Sequence, residues 1–220
     1  MDLQAITETA RRLRGEIPAS VELLAAAKGR TPEEIAAAAA GGIELFGHNY
    51  AQEASRSIAA LGARVRWHFI GHLQRNKAKL AARLFDCIET VDSVRLGEAL
   101  EPAAATIGRT MSVLIEVNID EEEGKSGARP EDVIDLARAL SRQAHLRLEG
   151  LMTMGRLAED PEESRASFRR ARALFEELRR ADIPGADIRH LSMGMSQSYR
   201  VAIEEGATRV RIGTALFGPR

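Results

Sequence analysis

From Ile188 to Gly218 the chain reads IRHLSMGMSQSYRVAIEEGATRVRIGTALFG. A short apolar run, Ile188 to Leu191, gives way to a turn of Ser, Met and Gly. A helical stretch from Gln197 to Glu205 then stops at Gly206, and a second apolar run follows from Thr208 to Ile212. Two strands joined through a helix call for a parallel crossover, because antiparallel neighbours need only a tight turn. The same alternation continues upstream. Strand-length runs occupy Val21 to Ala27, Ile43 to Phe46, Val65 to Ile70, Phe85 to Thr90, Ser112 to Val117 and Leu146 to Met152. Helical stretches between them include Pro32 to Ala40, Gln52 to Leu61, Val94 to Ala105, Pro130 to Ser141 and Pro161 to Arg180. Eight strands in 220 residues predict an α/β fold, a compact closed (β/α)8 barrel of TIM type. An open doubly wound sheet would favour a Gly-x-Gly-x-x-Gly turn after the first strand, where Lys28-Gly29-Arg30 stands instead. No linker or composition shift divides residues 1–220, so one domain is expected, with an extra amphipathic helix near Leu3 to Leu13 packing across the barrel.

Composition narrows the function classes. Hydrophobic residues at 45% and charged residues at 29% exclude intrinsic disorder. Lys plus Arg number 31 against 32 Asp plus Glu, a balance that gives no field for holding nucleic acid. The single cysteine, Cys87, excludes an internal disulfide framework and suits a reducing compartment. No apolar stretch approaches the roughly 20 residues of a membrane span, and the N-terminus lacks a secretion signal. A cytoplasmic monomer that binds neither membrane nor nucleic acid is expected.

In such barrels the reactive groups sit at the C-terminal ends of the strands. The residues there are Lys28, Asn49, His72, Asp92 with Ser93, Asn118, Thr153, the turn Ser192 to Ser196, and Gly213-Thr214. Barrels commonly bind phosphate with the loops after the last two strands. Ser196 reads as an N-cap, and Gly194 and Gly213 admit close backbone approach. A phosphate cradle and a pair of ordinary capped turns are both compatible with that spacing. Lys28 ends an apolar strand; it either extends to water or presents an amine that adds to a carbonyl. A phosphate cradle and an amine at one mouth suggest a phosphorylated aldehyde, of which pyridoxal 5'-phosphate is the obvious example. Arg211 alternates with Val210 and Ile212 and so faces the lumen, where it meets a ligand ring nitrogen or pairs with a carboxylate such as Glu116.

Taken together these residues resemble the YggS/PROSC family of pyridoxal 5'-phosphate homeostasis proteins, related to the barrel domain of bacterial alanine racemases. The resemblance spans nearly the whole chain. It rests on Lys28, Phe46 to Tyr50 with Gln52-Glu53, Trp67 to Gln74, Asn76-Lys77, Val117-Asn118, Lys125 to Gly127, Gly150 to Met152, Leu191 to Ser196 and Val210 to Gly218. It implies a barrel of the fold-type III class in which Lys28 holds the cofactor as a Schiff base. Ser196, Gly213 and Thr214 would surround the phosphate, Arg211 would meet the pyridine nitrogen, and Asn49, Ile70 and Met195 would line the ring. It also implies a binder without established turnover that supplies the cofactor to apo-enzymes. The alternative is a racemase-type enzyme acting on amino acids with His72 or Tyr50 as second base; the chain ends at Arg220, just past the last strand, without the further β domain that racemases use. Two departures stand out: His48 where the family usually has Glu, and Gln197-Ser198 where it has an acidic residue.

Other features read as structural. His68 and His72 lie on a strand and turn rather than a helix, which disfavours a metal pair. Cys87 belongs to an apolar strand. The basic residues Arg75, Lys77, Lys79 and Arg83 form a solvated face or draw an anion to the mouth, and the Arg-rich stretch from Arg165 to Arg180 is another such face. The polar segment from Asp120 to Pro130 is placed as a lid, with Lys125 a candidate relay for the aldehyde.

Overall fold

The alternating apolar runs close on themselves. In the computed structural model, which describes residues 2–155 and 160–219, the strands pair in chain order to form a closed barrel. They are β1 (Glu22–Ala26), β2 (Leu45–His48), β3 (Arg66–Phe69), β4 (Cys87–Val91), β5 (Met111–Glu116), β6 (Leu146–Met152), β7 (His190–Ser192) and β8 (Arg209–Ile212). Every pairing is parallel, and Leu24 sits beside both Leu45 of β2 and Arg211 of β8, which completes the ring. The helices are α1 (Leu3–Glu16), α2 (Pro32–Ala40), α3 (Ala51–Leu61), α4 (Ala78–Leu84), α5 (Val94–Thr106), α6 (Val133–Ser141), α7 (Arg165–Arg180), α8 (Tyr199–Glu204) and α9 (Thr214–Phe217). No helix among the described residues is long and apolar enough to cross a membrane.

Local chemistry sets several helix starts. Thr31 Oγ1 accepts from the Glu34 N–H while a Glu34 carboxylate oxygen accepts from the Thr31 N–H, a reciprocal cap reinforced by Pro32 in the first turn. Pro130 and Pro161, by contrast, open single 3-10 turns, and α6 and α7 begin only at Val133 and Arg165. α4 falls between the periodic stretches identified above and carries Lys79 and Arg83. α1 is longer than expected and packs against α2 and α9 as an extra element. Its Ile6, Ala10 and Leu13 are buried, and Gly41 permits the approach, since a Cβ there would fall 2.4 Å from that of Ala10.

Strand alternation sorts side chains between two cores. Leu23, Ala25, Val210 and Ile212 point outward into the large apolar layer shared with the helices. In the lumen, Leu24, Leu45 and Ile70 form one small apolar cluster, and Cys87, Leu114 and Met152 another. A buried polar network completes the filling. Glu89, fully buried, accepts from Arg209 Nη1 at 2.9 Å and from Ser192 Oγ at 2.7 Å, and contacts His68 Nδ1 at 2.7 Å. Arg209 Nε also donates to Glu22 at 2.9 Å. Burial raises the Glu22 carboxyl, but the Arg209 guanidinium and hydrogen bonds from Arg209 and Arg66 overcome it and bring the pKa down to about 2. Glu89 is likewise held below the usual carboxylate range: burial opposes its charge, and Arg209 and His68 favour it more strongly.

Candidate functional site

The C-terminal rim of the barrel is built by backbone geometry first. Beyond β1 the Ala27 N–H donates to Gly47 O at 2.8 Å, which extends the β1–β2 contact and brings Lys28 out at the rim. The Gly29 N–H then donates to a Glu53 carboxylate oxygen at 3.2 Å, fixing the turn, and Lys28 Nζ lies 5.8 Å from the centre of the Tyr50 ring. Across the rim, Gly194 takes φ of 89°, and a Cβ on it would come within 2.4 Å of the Ala202 Cβ. That turn lets Gly194 O accept from the Arg211 N–H at 3.0 Å, knitting the β7 turn to β8.

Ser196 corrects one expectation. It is not the N-cap of the helix that follows it: α8 begins at Tyr199 with Ser198 in the cap position, and Ser198 Oγ accepts from the Met195 N–H. Ser196 Oγ instead accepts from the N–H groups of Gly213 and Ala215, each at 3.1 Å, and so caps the start of α9. Two donors occupy its oxygen lone pairs, which leaves the hydroxyl hydrogen to be given to an acceptor in the cavity.

Arg211 is almost wholly buried in the lumen. Its guanidinium donates to Ser192 Oγ at 2.8 Å and to Thr153 O at 2.7 Å. Among the described residues no ion pair within 4 Å joins it to Glu116, whose charge acts on it at longer range together with that of Glu89. Ser192 in turn donates to Glu89, so Arg211 is anchored to the polar network of the lumen.

Lys28, Asn49, Ile70, Met195, Ser196, Arg211, Gly213 and Thr214 line one cavity of about 740 Å³, a size suited to a cofactor. Met154 and Arg30 line it as well. The reading of strand ends passed over both: Met154 follows the polar Thr153, and Arg30 lies two residues past the strand-end lysine. Ser192 stands among the strand-end residues, but its part and that of Glu89 in fixing Arg211 carry no sequence signal, because the partners lie on different strands.

The remaining candidates are distributed elsewhere. Asn118 and Lys125 line a separate cavity of about 260 Å³, where Lys125 Nζ is 2.5 Å from a Glu122 oxygen. Asp92, Ser93 and His72 border a third cavity beside Arg75. His72 is exposed at the rim while His68 is buried against Glu89, and no cluster of metal-ligating side chains occurs among the described residues. Cys87 is buried, and burial pushes its thiol well above the usual range. His48 is also buried, stacked on Trp67 with ring centres 5.8 Å apart. On α7, Arg165 pairs with Glu204 and Glu205 beside α8, and Arg170 pairs with Asp120, so that face is partly an interhelical and loop contact.

The family described as alanine racemase, N-terminal domain, matches residues 1–220. The pyridoxal phosphate homeostasis protein of Pasteurella multocida is 39% identical over 204 residues, covering 91% of this chain and 87% of its own. Its counterpart in Haemophilus influenzae is 38% identical, covering 99% and 93%. The solved structure of PipY from Synechococcus elongatus without PLP superposes with a TM-score of 0.91 at 37% identity, covering 97% of this chain and all of that one. PipY with PLP bound gives 0.89 at 36% identity. Alanine racemase from Corynebacterium glutamicum, 18% identical with a TM-score of 0.81, shares the fold.

Proposed function

The chain belongs to the alanine racemase N-terminal domain family, and from that membership we propose that it binds pyridoxal 5'-phosphate at the rim cavity and serves in homeostasis of that cofactor. One observation carries the reading: an amine, an anion cradle and a buried guanidinium converge on a single cavity, in a chain whose PipY relative has been solved with PLP bound.

The residues fit the group. Ser196 offers its hydroxyl hydrogen, and Gly213 and Thr214 bring backbone close, at the place where a phosphate would lie. When bound, pyridoxal 5'-phosphate supplies an aldehyde to which a primary amine adds with loss of water. Lys28 is the amine at this rim and would hold the group as a Schiff base. Arg211 has donors and no acceptor, so at the pyridine nitrogen it favours the unprotonated ring, a poor sink for electrons. Asn49, Ile70 and Met195 would enclose the ring.

Relatives at 38–39% identity are named pyridoxal phosphate homeostasis proteins, which supports a carrier over a racemase. We therefore read the chain as a non-catalytic, monomeric, cytoplasmic binder, one domain over residues 1–220, that releases the cofactor to apo-enzymes. Incubating the loaded protein with L-alanine and following optical rotation tests this reading. The carrier model predicts no sustained racemisation, together with cofactor transfer to an added apo-transaminase. Continuous racemisation would contradict it.

A further inference from the structure

Beside the cofactor cavity, at the ends of β5 and β6, lies the chamber of about 260 Å³, which shares Met154 and Met195 with its larger neighbour. Two carboxylate oxygens on its lining residues are buried without a hydrogen-bond partner, Glu116 Oε2 and Asp120 Oδ2. Both carboxyl groups are largely shielded from water, and Asp120 is also held by its partners. Glu116 is 7% exposed at the top of the lumen, and the other oxygen of Asp120 accepts from Ser167 Oγ at 2.6 Å and pairs with Arg170. Lys125 on the same wall is engaged by Glu122. Unpartnered buried carboxylate oxygens are costly, and a cation with N–H donors relieves that cost.

A metal ion is a poor match, since no group of His, Cys, Asp and Glu among the described residues could hold one. An ammonium group is a better match, because it has three N–H donors and no acceptor for oxygens that only accept, and the apolar side chains of Met154, Met195 and Ile119 line the same chamber.

We propose that this chamber is a subsite for a primary alkylamine, bound as its ammonium by Glu116 and Asp120. Resting on the function proposed above, its role is to admit the amine that takes the cofactor over from Lys28: the ammonium gives a proton to Glu116, the freed amine would form a C–N bond at the imine carbon, the Lys28 C–N bond would break and the Lys28 nitrogen would leave as the amine, so the acceptor class is a lysine-like side chain. The state of Glu116 agrees: burial and the nearby Asp92 push its carboxyl up to about 7, against the opposing pull of Arg211, and a bound cation would restore its charge.

The test uses the full chain freed of cofactor, with n-butylammonium as probe, followed by calorimetry at pH 8. The expected result is saturable one-to-one binding, none with n-butanol, and at least tenfold weaker binding in Glu116→Gln. Asp120→Asn provides a second arm should the first variant fail to fold. Absence of saturable binding to the wild type, or equal affinity in the folded variants, would overturn the subsite. Cofactor uptake, read separately by absorbance, distinguishes the two readings: its failure removes the function proposed above and leaves the amine site standing.

Discussion

Ser196 Oγ receives N–H donors from Gly213 and Ala215, and this places its hydroxyl hydrogen at the service of a bound anion. Ser196→Ala removes that donor and frees two N–H groups from their partner. A hydrogen bond to a charged group contributes about 1.5–3 kcal/mol, so the affinity for pyridoxal 5'-phosphate should fall by about 10- to 100-fold in an absorbance titration. An unchanged affinity would place the phosphate elsewhere. At this scale the sequence was informative where a rule of geometry applied. Alternation with Val210 and Ile212 put Arg211 in the lumen, and the strand-end rule found Lys28. It placed Ser192 at a strand end without revealing that it holds Arg211, it was silent on Glu89, which joins that contact through Ser192, and it assigned Ser196 to the wrong helix because a capping serine does not announce which N–H groups it will meet.

The turn between β7 and α8 depends on Gly194. With φ of 89° and the Ala202 Cβ 2.4 Å from where its own would lie, Gly194→Ala meets both backbone strain and a clash. The expected loss is more than about 1 kcal/mol in urea unfolding, with cofactor affinity falling too because Gly194 O anchors the start of the Arg211 strand segment. Unchanged stability would mean the turn relaxes freely. Strand existence was legible throughout, because apolar runs of strand length bounded by polar turns have few other solutions. Element limits were less so. Pro130 and Pro161 mark the start of helical backbone, but the first turn in each case is 3-10, a distinction set by packing rather than by proline.

Across the whole molecule the lumen is held by charge as much as by apolar contact. Glu89→Ala would strand Arg209 near Glu22 alone, and breaking a buried pair costs about 3–5 kcal/mol, which thermal or urea unfolding would detect directly. Acid acts through buried histidines, His48 among them, with His68 and His190 lowered by burial as well. Burial brings the His48 pKa down to about 4, with Glu53 opposing, so the folded chain excludes a proton that the unfolded chain accepts. Between pH 6.5 and 4 the unfolded state therefore binds more protons, and stability declines as pH falls through that window. From pH 7 to 5 the contribution is about 2 kcal/mol, and His48→Leu should lose less stability than the wild type by that amount, Glu116 titrating alike in both. Equal pH slopes would refute the assignment. The barrel itself was readable from the repeating pattern, whereas this polar filling was not, since Glu22, Glu89 and Arg209 look like exposed strand residues until the sheet closes around them.

The central claim is that Lys28 holds pyridoxal 5'-phosphate at this rim. Borohydride reduction of freshly purified protein followed by peptide mapping tests it most directly. The account predicts a yellow protein whose phosphopyridoxyl group maps to Lys28 and a Lys28→Ala variant without that adduct; a colourless wild type, or a group mapped to Lys125 with Lys28 unmodified, would contradict it.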